Sequence, residues 1–453
     1  MQNFEKDMEM TRRIAENVAS TGGRAYFVGG YVRDKLLGIE NKDIDIEIHG
    51  IYPAQLERIL DSLGGRTSMG ESFGIYGLKG YGIDIAMPRK EKALGRGHRD
   101  FQMSVDPFIG TYGAALRRDF TINALMMDVI SEEIVDHFGG ISDLGNGILR
   151  HVNAQTFAED ALRVLRGAQF AARFHCTVAE ETVLLCRNIR LDSLSKERIE
   201  GELRKALLKA EKPSEFFATL REMNRLDEWF PELKALIGVE QNPKYHAEGD
   251  VWVHTMMVLD EAAKLRENTA NPFGFMLTAL SHDYGKAICT EKINGVIHSY
   301  EHEIKGLPLI EAFLCRITNE TKLQKYVLNM AKLHMRPNTL AAQRSSVKST
   351  NKMFDLSVAP RDLIYMSIAD HLGRITSHGN ISYEDFLFER LSVYEETMKR
   401  PYVMGRDLVK AGLVPDEYFS ELLSYAHKLR LAGVEKAPAL KQTLSYAQTK
   451  KRK

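Results

Sequence analysis

The apolar positions of this chain follow two rhythms. In Asp43-Ile44-Asp45-Ile46-Glu47-Ile48 they alternate with acids. Strand side chains alternate faces, so Ile44, Ile46 and Ile48 line a buried side while Asp43 and Asp45 project together from the other. Comparable β-branched runs predict strands over 24–28, 43–49, 74–78, 82–87 and 133–137, joined in one mixed sheet. Beyond about residue 155 the period becomes helical, and helices are expected over 158–174, 196–209, 213–223, 251–266 and 273–281, with more to the end. The fold class is therefore α+β, a mixed-sheet head followed by an all-helical remainder. Gly238 to Gly249, which contains Gln241-Asn242-Pro243, has the composition of a linker that opens a new unit. No internal repeat or low-complexity segment is present.

A length of 453 residues exceeds one ordinary core and implies several domains. Lysine plus arginine equals aspartate plus glutamate at 61 each, which excludes a strongly basic nucleic-acid-coating protein but leaves room for local basic patches. The basic stretch from Lys441 to Lys453 reads as a solvated, frayed terminus or as an RNA-backbone contact. No apolar run reaches the length of a membrane span, and the polar start Met1-Gln2-Asn3-Phe4-Glu5-Lys6-Asp7 is not a signal peptide. A cytoplasmic protein without membrane contact is expected. Cys176, Cys186, Cys289 and Cys315 form no Cys-x-x-Cys pair, so they are expected to be buried small residues or free thiols.

Chemistry concentrates where the strand Phe27-Val28 runs into Gly29-Gly30-Tyr31-Val32-Arg33-Asp34. Two glycines before a basic helix start offer backbone N–H groups and a guanidinium to phosphate. The pair Asp43 and Asp45 follows at short spacing, and paired carboxylates beside a phosphate cradle suit divalent metals holding a nucleoside triphosphate. The glycine loop matches neither Gly-x-Gly-x-x-Gly nor a Walker A loop, which argues against a Rossmann dinucleotide site and a P-loop ATPase. Asp84, alone in Gly82-Ile83-Asp84-Ile85-Ala86, reads either as a third carboxylate that orients or deprotonates an attacking hydroxyl or as an edge-strand acid in solvent. Arg89-Lys90-Glu91 and Gly95-Arg96-Gly97-His98-Arg99-Asp100 suit a mobile loop over a substrate. Arg117 and Arg118 are expected just before an amphipathic helix, where they could bind triphosphate or RNA phosphate.

These motifs, with Arg117-Arg118-Asp119-Phe120-Thr121-Ile122-Asn123-Ala124 and Glu159-Asp160-Ala161-Leu162-Arg163-Val164-Leu165-Arg166, resemble the class II tRNA nucleotidyltransferase and poly(A) polymerase family, CCA-adding branch. They occur in that family's order over roughly the first 210 residues. The resemblance implies a polymerase-beta-like nucleotidyltransferase head, with Asp43 and Asp45 binding Mg2+, beside which Asp84 stays the candidate third catalytic carboxylate read from its strand. It implies a nucleotide site formed by Gly29, Gly30, Arg33, Arg118, Asp119, Asn123, Glu159, Asp160, Arg163 and Arg166. Asp160, Arg163 and Arg166 are spaced by three and are expected on one helical face. A carboxylate beside a guanidinium matches the donor and acceptor edges shared by cytosine and adenine, and rejects uracil and guanine; the alternative is an ordinary surface Asp–Arg pair. The expected reaction is addition of CCA to the tRNA 3′ end from CTP and ATP without a nucleic-acid template, the acceptor arm being read by shape and phosphate contacts. CC-adding, A-adding and poly(A)-polymerising relatives are the alternatives.

A second constellation, His254-Thr255, Ser281-His282-Asp283-Tyr284-Gly285-Lys286 and Ala369-Asp370, resembles the HD phosphohydrolase superfamily. That resemblance implies one divalent metal, Mn2+, Ni2+ or Mg2+, held by His254, His282, Asp283 and Asp370, with His302 and His334 available to a second. Phosphohydrolase activity on 2′,3′-cyclic phosphates or phosphomonoesters at RNA ends is the corresponding expectation, and a chain whose main function is that hydrolysis is another alternative. The expected domains are a head at 1–150, a helical neck binding RNA and nucleotide at 151–238, an HD domain at 239–400 and a helical tail at 401–453.

Overall fold

Alternation of apolar and polar positions becomes a seven-stranded sheet in a computed structural model that describes residues 2–68, 74–93, 101–375 and 382–451. In chain order its elements include α1 (Gln2–Ser20), β1 (Arg24–Val28), α2 (Gly30–Leu36), β2 (Ile44–His49), α3 (Pro53–Ser62), β3 (Arg66–Ser68), β4 (Ile75–Leu78), β5 (Ile83–Ala86), β6 (Arg89–Ala93), β7 (Phe101–Val105), α4 (Gly110–Leu116), β8 (Met126–Asp128) and β9 (Ile134–Val135). The strand order is β3-β4-β5-β2-β1-β8-β9. β2 and β5 run parallel and the other neighbours are antiparallel, so the sheet is mixed.

Ile44, Ile46 and Ile48 are buried with Met10, Ile14 and Val18 of α1 and Leu56 and Leu60 of α3, as the period-two pattern requires. Each buried side chain of this size contributes about 1.5–3 kcal/mol. Tyr26 and Val28 turn to the opposite face and pack with Ala114 and Met126, which is why β1 is apolar at successive positions. The opposite face also carries the acids of β2.

Two expectations change in the head. Phe120 is extended, with φ −126° and ψ 150°, and a single 3-10 turn over Thr121–Asn123 leads into β8, so no amphipathic helix follows Arg118. The Asp119 carboxylate accepts the Phe120 N–H, an interaction that favours the extended turn over a helix. Arg89, Lys90 and Glu91 belong to β6, which pairs with β7 from Arg89 opposite Val105 to Ala93 opposite Phe101, and are not loop residues. Gly95 to Asp100 lie outside the described residues.

The chain divides into two compact units, one of residues 1–206 and 215–228, the other of residues 207–214 and 229–453. In the first, the helix expected over 158–174 is interrupted: Ala154–Ala158 and Leu162–Phe174 are separate. Asp160 stands in the break and accepts the Leu162 N–H at 3.0 Å, so it precedes the helix that carries Arg163 and Arg166 and does not share its face. The second unit is helical apart from a hairpin of Glu291–Ile293 and Val296–His298. Its last helix, Lys436–Lys451, buries Ala439, Thr443 and Ala447, so the basic stretch is packed helix as far as it is described, and Arg452 and Lys453 lie outside the described residues. The four cysteines are free. No described helix is long and apolar enough to cross a membrane.

Candidate active site and candidate metal centre

The head site forms where β1 ends. Gly29 adopts φ 64° and ψ −128°, which a side chain would strain, and this turns the chain from β1 into α2. Asp43 sits just before β2, exposed. Asp45 is half-buried within β2, and the parallel register sets it opposite the exposed Asp84 of β5. Burial first, then the neighbouring charges of Asp84 and Asp43, raises the Asp45 pKa above the ordinary carboxylate value, Arg118 opposing. Crowded carboxylates of this kind are relieved by a divalent cation, and an all-oxygen donor set suits Mg2+.

The same strand face continues to Glu47, which the sequence reading left out although period two from Asp45 leads to it. Glu47 is 1% exposed. Its Oε1 lies 2.9 Å from His49 Nε2, and its Oε2 accepts from Arg117 and Arg118 at 3.4 and 3.3 Å. Burial alone would raise its pKa, but the His49 hydrogen bond and the charges of Arg118 and Arg117 outweigh burial and bring it to about 2. A Cβ placed on Gly29 would stand 3.7 Å from Arg118 Nη1, so the residue that Glu47 holds borders the glycine turn.

Glu47→Gln is expected to destabilise the protein by on the order of 3 kcal/mol near neutral pH, the value of a depression of this size. A depressed carboxyl pKa stabilises fully above the usual 4.5 and progressively less as pH falls toward 2. Urea unfolding should therefore show a parent–variant gap at pH 7 that shrinks by pH 3. A gap equal at both pH values would show that the charge of Glu47 is not what stabilises the fold.

Five other residues join the glycine turn to the helix Leu162–Phe174. Arg33 is 4% exposed, bonds Asp34 Oδ1 through Nε at 2.8 Å and donates through Nη1 to Asn123 Oδ1 at 2.6 Å. Asn123 donates to Asp119 Oδ1 at 3.0 Å, and Asp119 Oδ2 accepts from Arg166 at 2.7 Å. Burial would raise the Asp119 pKa, yet Arg166, Asn123 and the Phe120 N–H hold it low. Both guanidinium groups lie over Phe170, Arg33 at 5.4 Å and Arg166 at 5.0 Å from the ring centroid. In the other direction, Asn41 donates to Asp34 Oδ2 at 2.8 Å and accepts the backbone N–H of Asp43 at 2.9 Å. A continuous hydrogen-bonded chain thus runs from Asp43 to Arg166.

The Arg163 N–H donates to the Asp160 carbonyl at 3.0 Å, while their side chains bond other residues. Arg198 donates to both Asp160 oxygens, at 2.9 and 2.8 Å, while Arg163 donates to the carbonyls of Thr156 and Arg117 at 2.6 and 2.7 Å. Glu159 is exposed in the same break. A guanidinium has five donors, so Arg163 retains capacity for a ligand beyond its two carbonyl partners.

In the second unit all six expected metal residues converge. His254 lies in the helix Val251–Leu265, His282 and Asp283 follow Pro272–Ser281, His302 begins His302–Lys305, His334 follows Thr321–Leu333, and Asp370 lies in Pro360–Leu372. Asp283 is central: its oxygens are 3.5 Å from His254 Nε2, 3.3 Å from His282 Nε2, 3.2 Å from His302 Nε2 and 3.9 Å from His334 Nε2. His254 Nε2 is 3.2 Å from Asp370 Oδ1. The approach of His302 requires Gly285, where any Cβ would collide with the His302 carbonyl oxygen.

The ring orientations suit a metal. His282, His302 and His334 place Nδ1 on the carbonyls of Ala279, Ser299 and Ala331 at 2.8, 2.9 and 2.6 Å. A carbonyl only accepts, so Nδ1 carries the proton and each Nε2 turns a lone pair inward. His302 Nε2 and His334 Nε2 face each other at 3.3 Å, which leaves two lone pairs opposed unless a cation or proton lies between. Burial first, then His282 and His302, lowers the His334 pKa to about 3. Lys286 Nζ is 2.7 Å from Asp283 Oδ2 but poorly aligned, and His282 Nε2 and both Asp283 oxygens are buried without a hydrogen-bond partner. Orphaned acceptors in a histidine–carboxylate set fit a divalent ion.

His246 and Glu248, inside the stretch read as a linker, join this cluster. Glu248 Oε1 is 2.8 Å from His246 Nδ1 and 3.1 Å from His254 Nδ1. Burial opposes its ionisation, but these two histidines hold its pKa well below the carboxylate range. The signal that could have found it is the acid at position 248 amid otherwise turn-forming residues.

Residues 25–150 match the model of the poly A polymerase head domain. A multifunctional CCA protein of Stenotrophomonas maltophilia (strain K279a) is 39% identical over 319 residues, covering 69% of this chain and 76% of that protein. One of Pasteurella multocida (strain Pm70) is 34% identical over 414 residues, covering 88% and 94%. Among solved structures, a CCA-adding enzyme in apo form II aligns at 19% identity with a TM-score of 0.68 over 98% of this chain and 96% of that one. A Thermotoga maritima CCA-adding enzyme complexed with tRNA aligns at 19% identity with a TM-score of 0.62 over 97% and 95%. The solved structures show that the fold is shared along nearly the whole chain, and by the identity and coverage of the sequence relatives this chain belongs to the multifunctional CCA protein family of tRNA nucleotidyltransferases.

Proposed function

We infer that this chain completes tRNA by transferring CMP and AMP from CTP and ATP to the 3′ end, releasing pyrophosphate, with no nucleic-acid template. The observation that carries the chemistry is the register of Asp45 opposite Asp84, with Asp43 two residues before Asp45, beside the Gly29–Gly30 turn. Mg2+ held by Asp43 and Asp45 would neutralise the triphosphate and lower the pKa of the attacking hydroxyl. Asp84 accepts the proton of the tRNA 3′-hydroxyl, whose oxygen bonds the α-phosphorus as the bond to the β-phosphate oxygen breaks. Arg118, held by Glu47 at the edge of the turn, binds triphosphate oxygens. Arg33 acts from within, bracing the turn through Asp34 and Asn123. A tRNA substrate assigns the enzyme to the cytoplasm.

The deciding assay supplies Mg2+, labelled CTP or ATP, and tRNA ending before the first C, after CC, or complete. Addition of CCA to the first and of A to the second supports the reading. Addition only of CC, only of A, or of a long A tract assigns the chain to another branch.

Asp160 and Arg163 are proposed to read the base, the carboxylate accepting from the exocyclic amine of cytosine or adenine and the guanidinium donating to the ring nitrogen. The exchange Asp160→Arg with Arg163→Asp reverses that order. It should cost selectivity for CTP and ATP, with a relative gain for UTP and GTP, since each mismatched buried polar contact costs about 1–3 kcal/mol. Total activity should fall too, because Arg198 and the carbonyls of Thr156 and Arg117 lose their partners. A folded double variant that still selects CTP and ATP as sharply as the parent would move base reading elsewhere.

The His/Asp cluster is proposed as an HD-type phosphohydrolase site for 2′,3′-cyclic phosphates or phosphomonoesters at RNA ends. Its support is the set of orphaned acceptors on His282 and Asp283. His254, His282, Asp283 and Asp370 would hold one ion and His302 with His334 a second, and the nitrogen-rich set favours Mn2+ or Ni2+ over Mg2+. Such ions would supply a hydroxide nucleophile and neutralise phosphate charge.

A further inference from the structure

Beside the His/Asp cluster lies a cavity of about 770 Å³, bounded by the stretch from Gln241 to His246, by the hairpin and by His302. Four cations line it, Lys244, Lys286, Lys292 and Arg374, and no carboxylate side chain does. In a protein with equal numbers of acids and bases, a wall of one sign marks an anion site.

The four cations fall into two pairs. Lys286 and Arg374 are committed to the cluster, the first 2.7 Å from Asp283 Oδ2 and bonded to Gln241 Oε1 at 2.9 Å, the second paired with Asp370. Lys244 and Lys292 have no carboxylate partner among the described residues; Lys244 lies 5.4 Å from the Tyr245 ring centroid. One pair thus neutralises cluster acids while the other presents uncompensated charge to the cavity. The remaining wall is partly apolar, with Tyr245, Val296 and Met335, which gives a base or ribose a surface that inorganic phosphate does not need.

We propose that this cavity binds a nucleotide carrying two phosphates: a terminal phosphate at the cluster, beside Lys286 and Arg374, and a neighbouring phosphodiester held by Lys244 and Lys292. The ligand class is an oligoribonucleotide ending in a phosphate, with a single nucleotide as the weaker ligand. This rests on the reading of the cluster as phosphohydrolytic, and binding is measured separately from hydrolysis for that reason.

The test compares the Mn2+-loaded full chain with its Lys244→Gln/Lys292→Gln variant, using adenosine 3′-monophosphate, the dinucleotide ApAp with a 3′-phosphate, and inorganic pyrophosphate as probes. The parent should bind the dinucleotide about tenfold more tightly than the mononucleotide, the gain of about one charge-assisted contact. The variant should lose that preference while keeping its mononucleotide affinity and its CMP transfer. Equal affinity for both nucleotides in the parent, or a preference that survives in the variant, overturns the proposal. Pyrophosphate binding as tight as that of the dinucleotide overturns the nucleoside assignment. Phosphate release followed in parallel separates the two readings: a preference without hydrolysis leaves the pocket and removes the hydrolase, and hydrolysis without preference does the reverse.

Discussion

Asp45→Ala will reduce incorporation of both CMP and AMP by at least about 10³-fold, because losing one carboxylate from a metal-held triphosphate removes several kcal/mol of transition-state stabilisation. The loss should be equal for the two nucleotides, since Asp45 stands opposite Asp84 in the proposed metal site, which would serve CTP and ATP alike. Binding of tRNA should be nearly unchanged, as Asp45 lies in β2, apart from the helices after residue 154 that are expected to hold RNA. The fold should also survive: Asp45 is half-buried with a raised pKa, so its charge is a burden on the folded state and its removal relieves repulsion with Asp84 and Asp43. Single-turnover incorporation on tRNA ending before the first C, with filter binding of the same tRNA, separates these effects. Incorporation within tenfold of the parent would end the assignment of Asp45 as a metal ligand.

With the second cluster holding a metal as proposed, Asp283→Asn is expected to remove that metal and abolish hydrolysis of small phosphoesters, leaving CMP transfer intact. Asp283 is within 4 Å of the inner nitrogens of four histidines, so no other single side chain connects as many candidate ligands. Its pKa lies well below the carboxylate range despite burial, owing to His282 and Lys286, so the site is built around a negative charge. Asparagine keeps the shape and an acceptor oxygen near Lys286 while removing the charge, whereas alanine would also open a cavity. Metal content by elemental analysis should fall to background, and phosphoester hydrolysis should drop at least about 100-fold. Parent protein that retains no Mn2+, Ni2+ or Mg2+ after desalting, and hydrolyses none of a broad phosphoester panel, would reduce the cluster to a structural core. Retained metal in the variant would place the ion elsewhere.

The strands that carry chemistry were readable because their acids interrupt an otherwise isoleucine-rich alternation, so period two sets both the buried face and the outward pair Asp43 and Asp45. That the six His and Asp side chains of the second unit come together was readable for a different reason: the adjacent His282-Asp283 followed by Gly285-Lys286 resembles the HD pattern, and the outlying His254, His302, His334 and Asp370 fit around it. Less was legible where tertiary contacts override local pattern. Asp160, Arg163 and Arg166 at intervals of three resemble a helical stripe, but the Asp160 side chain caps the chain at Leu162 and is held by Arg198, a residue distant in sequence. Nothing local distinguishes β8 from a helix start, because its strand identity comes from pairing with β1. Glu47 escaped notice as one acid too many on a strand whose first two acids already had a role. Its value depends on Arg117 and Arg118, seventy positions on, which no periodicity reveals.

The chain of bonds from Asp43 to Arg166 also limits how this sequence can drift. Asn123 stands between an arginine that can only donate and a carboxylate that can only accept, and Asn41 stands between a backbone N–H and the carboxylate of Asp34. Each position therefore demands an acceptor and a donor on one short side chain. At Asn123, aspartate would set two negative charges face to face, leucine would remove a partner from each neighbour, and glutamine would need room that its buried site lacks. Asn123 is thus a grammatical joint, replaceable without orphaning a neighbour only if Arg33 and Asp119 exchange polarity at the same time, whereas Asn41 answers a backbone N–H that no substitution alters.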